Sequence, residues 1–318
     1  FACLLAVPMV DPAAFYWGFV GLAFLLQLGM ALYDTCTDGL ALDTTPEAEH
    51  GRIQGYMVGG RAVGTIVAAS LVGLLAQHVG WPSVFYALAA LTLLPLPFVL
   101  QVRDGERPAE KRFEWSAFSA FKRWPVIAAG LVGLLIFLVI VGANQMINPF
   151  LQEELGISLS QAGMVTSLWG VGVVAGSFIG GALMRALKNA LAVLVMMAMV
   201  ALALVAMAFL IQQSLGFAIA LALVVLYGVA YGAAQTVTFA LCMRFVDARI
   251  AASMFAILMS FTNVGQAIGL GLGGALADSL GFRWTLVAFA ALLALVLPLL
   301  PGLFRGNAQQ VGMEAEVE

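Results

Sequence analysis

The sequence predicts an all-α integral membrane protein, and three observations predict it. The chain is 63% apolar and only 10% charged over 318 residues, with a mean hydropathy of +1.02. A water-soluble domain carries about 25% charged residues, so this surface suits hydrocarbon rather than water. Apolar runs recur at bilayer length, about 20 residues for a helix. The basic residues fall on one side of those runs. A β-barrel would show alternating segments of about 10 residues, and none occur. Backbone groups in lipid must be satisfied within each segment, which leaves helices. The same composition excludes disorder, a collagen-like fibre and a disulfide scaffold.

Residues 1–10 are apolar but too short to span, and Asp11-Pro12 ends them. They lack the basic flank and cleavage site of a signal peptide, so we read them as one partial helix whose span begins upstream. Nine full spans follow, near 14–42, 53–77, 82–101, 125–151, 159–184, 189–212, 215–243, 250–277 and 283–304. Counted alternately, the breaks sort the fourteen Lys and Arg residues decisively. One side holds Arg52, Arg103, Arg107, Lys111, Arg112, Lys122, Arg123, Arg185, Lys188, Arg244, Arg249 and Arg305; the other holds Arg283 alone; Arg61 lies within a span. That side is the cytoplasmic one, and it takes the C-terminal tail.

The longest polar break divides the chain into an incomplete N-terminal lobe (1–101), a charged cytoplasmic linker (102–124), a six-helix C-terminal lobe (125–304) and a tail (305–318). Equal halves would place two further helices upstream. The halves are also alike. LVGLLAQHVGW at 71–81 aligns with LGGALADSLGF at 272–282 at an offset of 201, which also sets Val63-Gly64 against Val264-Gly265 and Asp34 against Gln235. A parallel repeat of this kind belongs to a two-lobed transporter.

The chemistry concentrates in Tyr33 to Gly64. Asp34 precedes Asp43 by nine residues and Arg61 follows Arg52 by nine. At about 1.5 Å per residue both lie near the middle of a core about 30 Å thick. Asp38 shares the Asp34 face, one turn nearer the loop. A charge in hydrocarbon costs several kcal/mol, roughly 2.5–3.5 on insertion scales. Two readings stand: a fixed Asp34–Arg61 pair fastening two helices, or acids and arginine lining a wet cavity that binds solute or titrates during transport.

A second polar cluster, Asn144, Gln145 and Asn148 before Pro149, reads either as interhelical glue of about 1 kcal/mol or as cavity lining. Gln235, Thr236 and Thr238 form a fainter version, and Asn263 and Gln266 lie on the helix that mates with the Arg61 helix. The glycines Gly55, Gly59, Gly60 and Gly64, matched by Gly265, Gly269, Gly271, Gly273 and Gly274, read as close helix packing. No GxxxxGK[ST] loop occurs, so this chain carries no nucleotide-hydrolysing motif. Cys3, Cys36 and Cys242 lack metal-ligand spacing, and His50 and His78 stand apart. No nucleophile–base constellation is visible. The sequence therefore calls for no enzyme, no metal, no cofactor and no nucleic-acid partner, only a small-molecule substrate and the lipid bilayer.

With its parallel halves, basic central loop and Gly180-Gly-Ala-Leu-Met-Arg185-Ala-Leu-Lys188 segment, the chain resembles the major facilitator superfamily, from that fold's third helix to its twelfth. The Gly180–Lys188 segment is similar to the family's loop motif between the second and third helices of a half, which makes Arg185 and Lys188 candidate cytoplasmic gate residues. Asp34-Thr-Cys-Thr-Asp38-Gly39 followed by Gly60-Arg61-Ala-Val-Gly64 is similar to a branch containing muropeptide permeases and acetyl-CoA transporters. The resemblance implies that the helices of Asp34, Asn144 and Gln235 line a central cavity. It also implies secondary transport by alternating access, with a proton as candidate coupling ion, in the bacterial inner membrane. The rival reading is a non-transporting membrane assembly factor on the same fold.

Overall fold

The computed structural model describes residues 1–101, 114–212, 214 and 216–303, without the side chains of 69–74, 77, 159 and 160. The expected linker segment 102–113 and the tail 305–318 lie outside the described residues. Among these, every regular element is helical: α1 (Ala2–Ala6), α2 (Tyr16–Thr44), α3 (His50–His78), α4 (Trp81–Thr92), α5 (Leu96–Val99), α6 (Trp124–Leu155), α7 (Leu159–Ala186), α8 (Asn189–Leu210), α9 (Gly216–Met243), α10 (Ala251–Leu280) and α11 (Phe282–Leu292). Eight helical stretches among the described residues are long and apolar enough to cross a membrane. The expected span 53–77 falls inside α3. The protein is a multi-pass integral membrane protein.

Local signals set the helix ends. Between α6 and α7, Gly156 takes a left-handed conformation (φ 63) that ends one helix. Two residues on, a capping box starts the next: the Gln161 amide donates to Ser158 Oγ at 3.3 Å, and the Ser158 amide to Gln161 Oε1 at 2.8 Å. Two expected spans are not continuous α-helix. In 82–101, α4 stops at Thr92 and a turn over Leu93–Pro95 precedes α5; in 283–304, α11 tightens into a 3-10 helix over Leu293–Leu299. Pro95, Pro97 and Pro298 lack the N–H that an α-helical ladder requires there. The opening partial helix is likewise short, giving way at Val7–Met9 to a 3-10 turn with Pro8 in its first turn.

Helix boundaries repeat at the offset seen in the sequence. Starts at His50 and Ala251, and at Trp81 and Phe282, are each 201 residues apart. Their shared N-cap glycines, Gly80 (φ 108, ψ 164) and Gly281 (φ 77, ψ 160), adopt nearly the same backbone conformation, one that only glycine enters without strain.

The chain forms two compact units. The first takes Phe1–Asp38 and the described part of Gly64–Arg112. There, α1 and the turn after it pack on α4, with Val7, Val84 and Ala89 buried. The second takes Gly39–Val63 and the described residues from 114 onward. In it α7 pairs with α9 and α6 with α10, while α8 and α11 complete the packing.

Glycine makes the closest of these approaches. Gly172 and Gly176 of α7 face the carbonyls of Val225 and Val229, and Gly228 and Gly232 of α9 face those of Trp169 and Val173. A Cβ at any of the four would strike main chain. Gly265 and Gly269 of α10 meet the Leu134 and Leu138 carbonyls of α6 in the same way. The expected glycine stripe is narrower than the sequence suggested. Gly55, Gly59, Gly265, Gly269 and Gly273 meet a neighbour, whereas Gly60, Gly64, Gly271 and Gly274 have nothing within 4 Å. Residues four apart share the contacting face, and the intervening ones look away from it.

Candidate functional site

The first unit carries Asp34 and Asp38, four residues apart on α2 and both half-buried. The Thr35 and Thr37 hydroxyls between them donate back to the Ala31 and Tyr33 carbonyls at 2.8 and 2.9 Å. The donor hydrogens of these hydroxyls are thereby spent on their own helix.

The second unit carries the remaining candidates. Arg61 is exposed on α3, and Tyr231 is buried on α9. The Trp169 ring of α7 meets Tyr231 edge-on, with centroids 5.0 Å apart at 74°. Its indole Nε1–H is buried with no acceptor. One turn before Trp169, Thr166 Oγ1 accepts from Asn148 Nδ2 of α6 at 3.2 Å, while Asn148 Oδ1 is buried without a partner. Asn144 is half-buried and Gln145 exposed, one turn earlier on α6. Gln235 is half-buried one turn beyond Tyr231 on α9, and Thr236 and Thr238 beside it are fully buried, their hydroxyls unpartnered.

Tyr231 and Trp169 thus form one aromatic contact between α9 and α7, with the Asn148–Thr166 bond a turn away along α7. Two buried polar atoms with unused capacity and aromatic faces can hold a solute that bears hydroxyl groups, and the Arg61 cation in the same unit suits an anionic one. Sequence reasoning missed Thr166, Trp169 and Tyr231. Trp169 and Tyr231 are large aromatics with a polar end, set three residues before and one before the glycines Gly172 and Gly232 of the α7–α9 crossing. That pairing of aromatic and packing glycine was the available signal.

The basic ends of the same helices are closed on one another. Gly51 packs against Met184 and the Gly181 carbonyl; Gly55 and Gly59 pack on Ser177. Tyr56 meets Phe178 edge-on at 5.7 Å and carries the Arg52 guanidinium over its ring at 5.8 Å. Gln54 Nε2 donates to Met243 Sδ at 3.3 Å, and Arg244 pairs with Glu47 at 2.9 Å. His50 is buried here with Nδ1 unpartnered, and burial, outweighing the opposing pull of the Thr45 backbone and the Glu47 charge, pushes its imidazole below the ordinary 6.5. Arg185 and Lys188 are exposed at the end of α7, one residue and four residues past the Met184 contact. Among the described residues no group of three His, Cys, Asp or Glu could hold a metal ion.

The model of the Major Facilitator Superfamily matches residues 1–258 and 144–315. The sialic acid transporter NanX of Escherichia coli K12 is 26% identical over 169 residues, which cover 50% of this chain and 40% of that protein, well under half its length. A transcription regulatory protein of Pseudomonas aeruginosa, OpdE, is 26% identical over 290 residues, 85% of this chain and 69% of that one. Among solved structures, the fucose:proton symporter FucP of E. coli matches with a TM-score of 0.72 at 14% identity, covering 94% of this chain and 80% of that one. This last likeness is one of fold.

Proposed function

Because the chain belongs to the Major Facilitator Superfamily, we propose that it is a secondary transporter moving a small anionic or polar solute by alternating access, coupled to protons. The observation that carries the reading is the pair of buried, unpartnered polar atoms, Trp169 Nε1 and Asn148 Oδ1, in the unit that also carries Arg61, nine residues beyond Arg52 on α3. Arginine stays protonated at any physiological pH, so it suits an anion's charge rather than a titration. Asp34 is the titrating acid in this reading, and Asp38, Asn144, Gln145, Asn148 and Gln235 contact solute or water. Arg185 and Lys188 belong to the gate on the basic, cytoplasmic side, where the C-terminus also lies in a bacterial inner membrane. The names of NanX and FucP, a sialic acid transporter and a fucose:proton symporter, favour an acidic or hydroxylated solute. A non-transporting assembly factor would have no use for arginine and aspartate within its spans.

The test is a thermal-shift screen of the protein in detergent against sialic acids, fucose, inorganic phosphate and anhydro-muropeptides, followed by uptake in proteoliposomes. A solute that binds only the folded state raises the melting temperature by mass action. We expect a shift with an acidic solute that disappears in Arg61→Gln. Asp34→Asn should keep the shift but lose accumulation driven by a pH gradient. No shift with any solute, together with wild-type behaviour of Arg61→Gln in cells, returns the protein to the assembly-factor reading.

A further inference from the structure

Just ahead of α6, residues Trp115–Lys122 form a 3-10 helix of eight residues. Three residues per turn align its side chains in three straight ridges. One ridge is aromatic: Trp115, Phe118 and Phe121 stack in a row, with centroids 5.8 and 6.3 Å apart and ring planes within 27°. The second is small, Ala117 and Ala120, both buried against the protein. The third, Ser116, Ser119 and Lys122, is polar and exposed. Trp115 remains 79% exposed and Trp124, at the mouth of the α6 span, 50%.

The segment is also fixed in place. Arg249 bonds Glu114 at 2.8 Å and Asp247 at 2.9 Å, tying the start of the 3-10 helix to the turn between α9 and α10. Among the described residues, Glu114 and Asp247 are thereby both engaged by one arginine. Lys122 and Arg123, exposed at the other end, make no ion pair with a described residue, although the Arg123 charge is felt at Asp247. Tryptophan and stacked phenylalanines beside two exposed cations, where the chain enters a span, have the composition of an element seated at a membrane–water interface.

We propose that Trp115–Trp124 lies in the headgroup layer of the bilayer and that Lys122 and Arg123 bind the phosphate of an anionic phospholipid, with the aromatic ridge at the acyl boundary. The charge chooses the lipid. A zwitterionic headgroup brings its own ammonium to compete with the lysine and arginine, whereas an anionic one leaves its phosphate to them. The place chooses a lipid over a soluble partner, because Trp124 opens a membrane span and its neighbours sit at that depth.

The test uses the full chain in vesicles of phosphatidylcholine alone or mixed with phosphatidylglycerol. Lipids brominated near the glycerol end of the acyl chain should quench a fraction of the tryptophan emission that Trp115→Phe removes. After extraction into detergent, native mass spectrometry should show phosphatidylglycerol retained over phosphatidylcholine. Lys122→Gln and Arg123→Gln should each lower that preference about fivefold, the effect of one basic residue at an anionic surface. The exchange Lys122→Arg with Arg123→Lys should preserve it and serves as the folding control. Equal retention of both lipids by wild type, or quenching that Trp115→Phe leaves unchanged, overturns the proposal. So does a Trp115-dependent dimer that forms without phosphatidylglycerol, which would make a second copy the occupant.

Discussion

Helices α2 and α9 hold equivalent places in the internal repeat, and their differences show what each half is for. At the offset of 201, Asp34-Thr35-Cys36-Thr37 of α2 falls on Gln235-Thr236-Val237-Thr238 of α9. In α2 the threonines bond back to their own helix, whereas in α9 they are sealed inside the protein without a partner. Over half of the most apolar stretch of α9, 56%, is buried within the protein. The neutral amide takes the place of the ionisable residue on that enclosed helix. A carboxylate needs water or a partner to stay charged, and a helix packed through glycine leaves room for neither.

The largest test of this comparison is at the glycines. Gly228→Leu should cost about 3 kcal/mol or more, since even the first added carbon meets the Trp169 carbonyl and Gly172. Gly29→Ala on α2 has nothing within 4 Å to meet and should leave stability unchanged or slightly raised. Thermal unfolding of both variants in one detergent decides the matter, and equal losses would erase the distinction between the two helices.

Next in size is the exchange of acid and amide. Gln235→Asp should destabilise by roughly 2.5–3.5 kcal/mol at neutral pH, the cost of placing a charge in a span. Asp34→Asn, which removes a charge from a span rather than adding one, should cost less than Gln235→Asp. A Gln235→Asp protein as stable as wild type would show that α9 can hydrate a charge at that position.

A smaller effect is expected at Tyr227, whose hydroxyl donates to the Ile140 carbonyl at 2.6 Å deep between α9 and α6. Tyr227→Phe should cost about 1 kcal/mol, the net worth of one hydrogen bond, and can be read from chemical denaturation.

The last difference is one of pH. His50 opens α3, and its counterpart Ala251 opens α10 with nothing to titrate. Burial keeps the folded imidazole's pKa below 6.5. Between that lowered value and 6.5 the unfolded chain therefore binds the extra proton. Stability should fall as the pH drops below about 6.5 and level off beneath the lowered value. Melting temperatures from about pH 7.5 down to about pH 5 should show this slope in wild type and lose it in His50→Ala.

Much of the architecture was legible because a bilayer leaves the chain few choices. A run such as 125–151 must be a helix, and its place in the repeat follows from counting. The expected spans 82–101 and 283–304 were harder, since each prolyl break lies within an apolar run and hydropathy is blind to a missing N–H. The candidate site residues that the sequence offers most plainly are the charged ones. Asp34, Asp38 and Arg61 announce themselves in a greasy segment, whereas Trp169 and Tyr231 do not, being apolar enough to pass for core. Gly60 and Gly64 looked like packing glycines by spacing and face open space, because spacing gives a helix stripe but not the neighbour it meets.

The sequence by itself determined that the chain crosses a membrane many times, and it carries two stretches alike at a fixed offset. These follow from properties each segment carries alone: apolar length, charge and local backbone preference. Only the tertiary structure decided which helix faces were enclosed, which glycines met a carbonyl, and that Trp169 and Tyr231 meet between α7 and α9. Those are relations between segments far apart in the chain, and a solvent as uniform as lipid leaves no periodic mark in the sequence to record them.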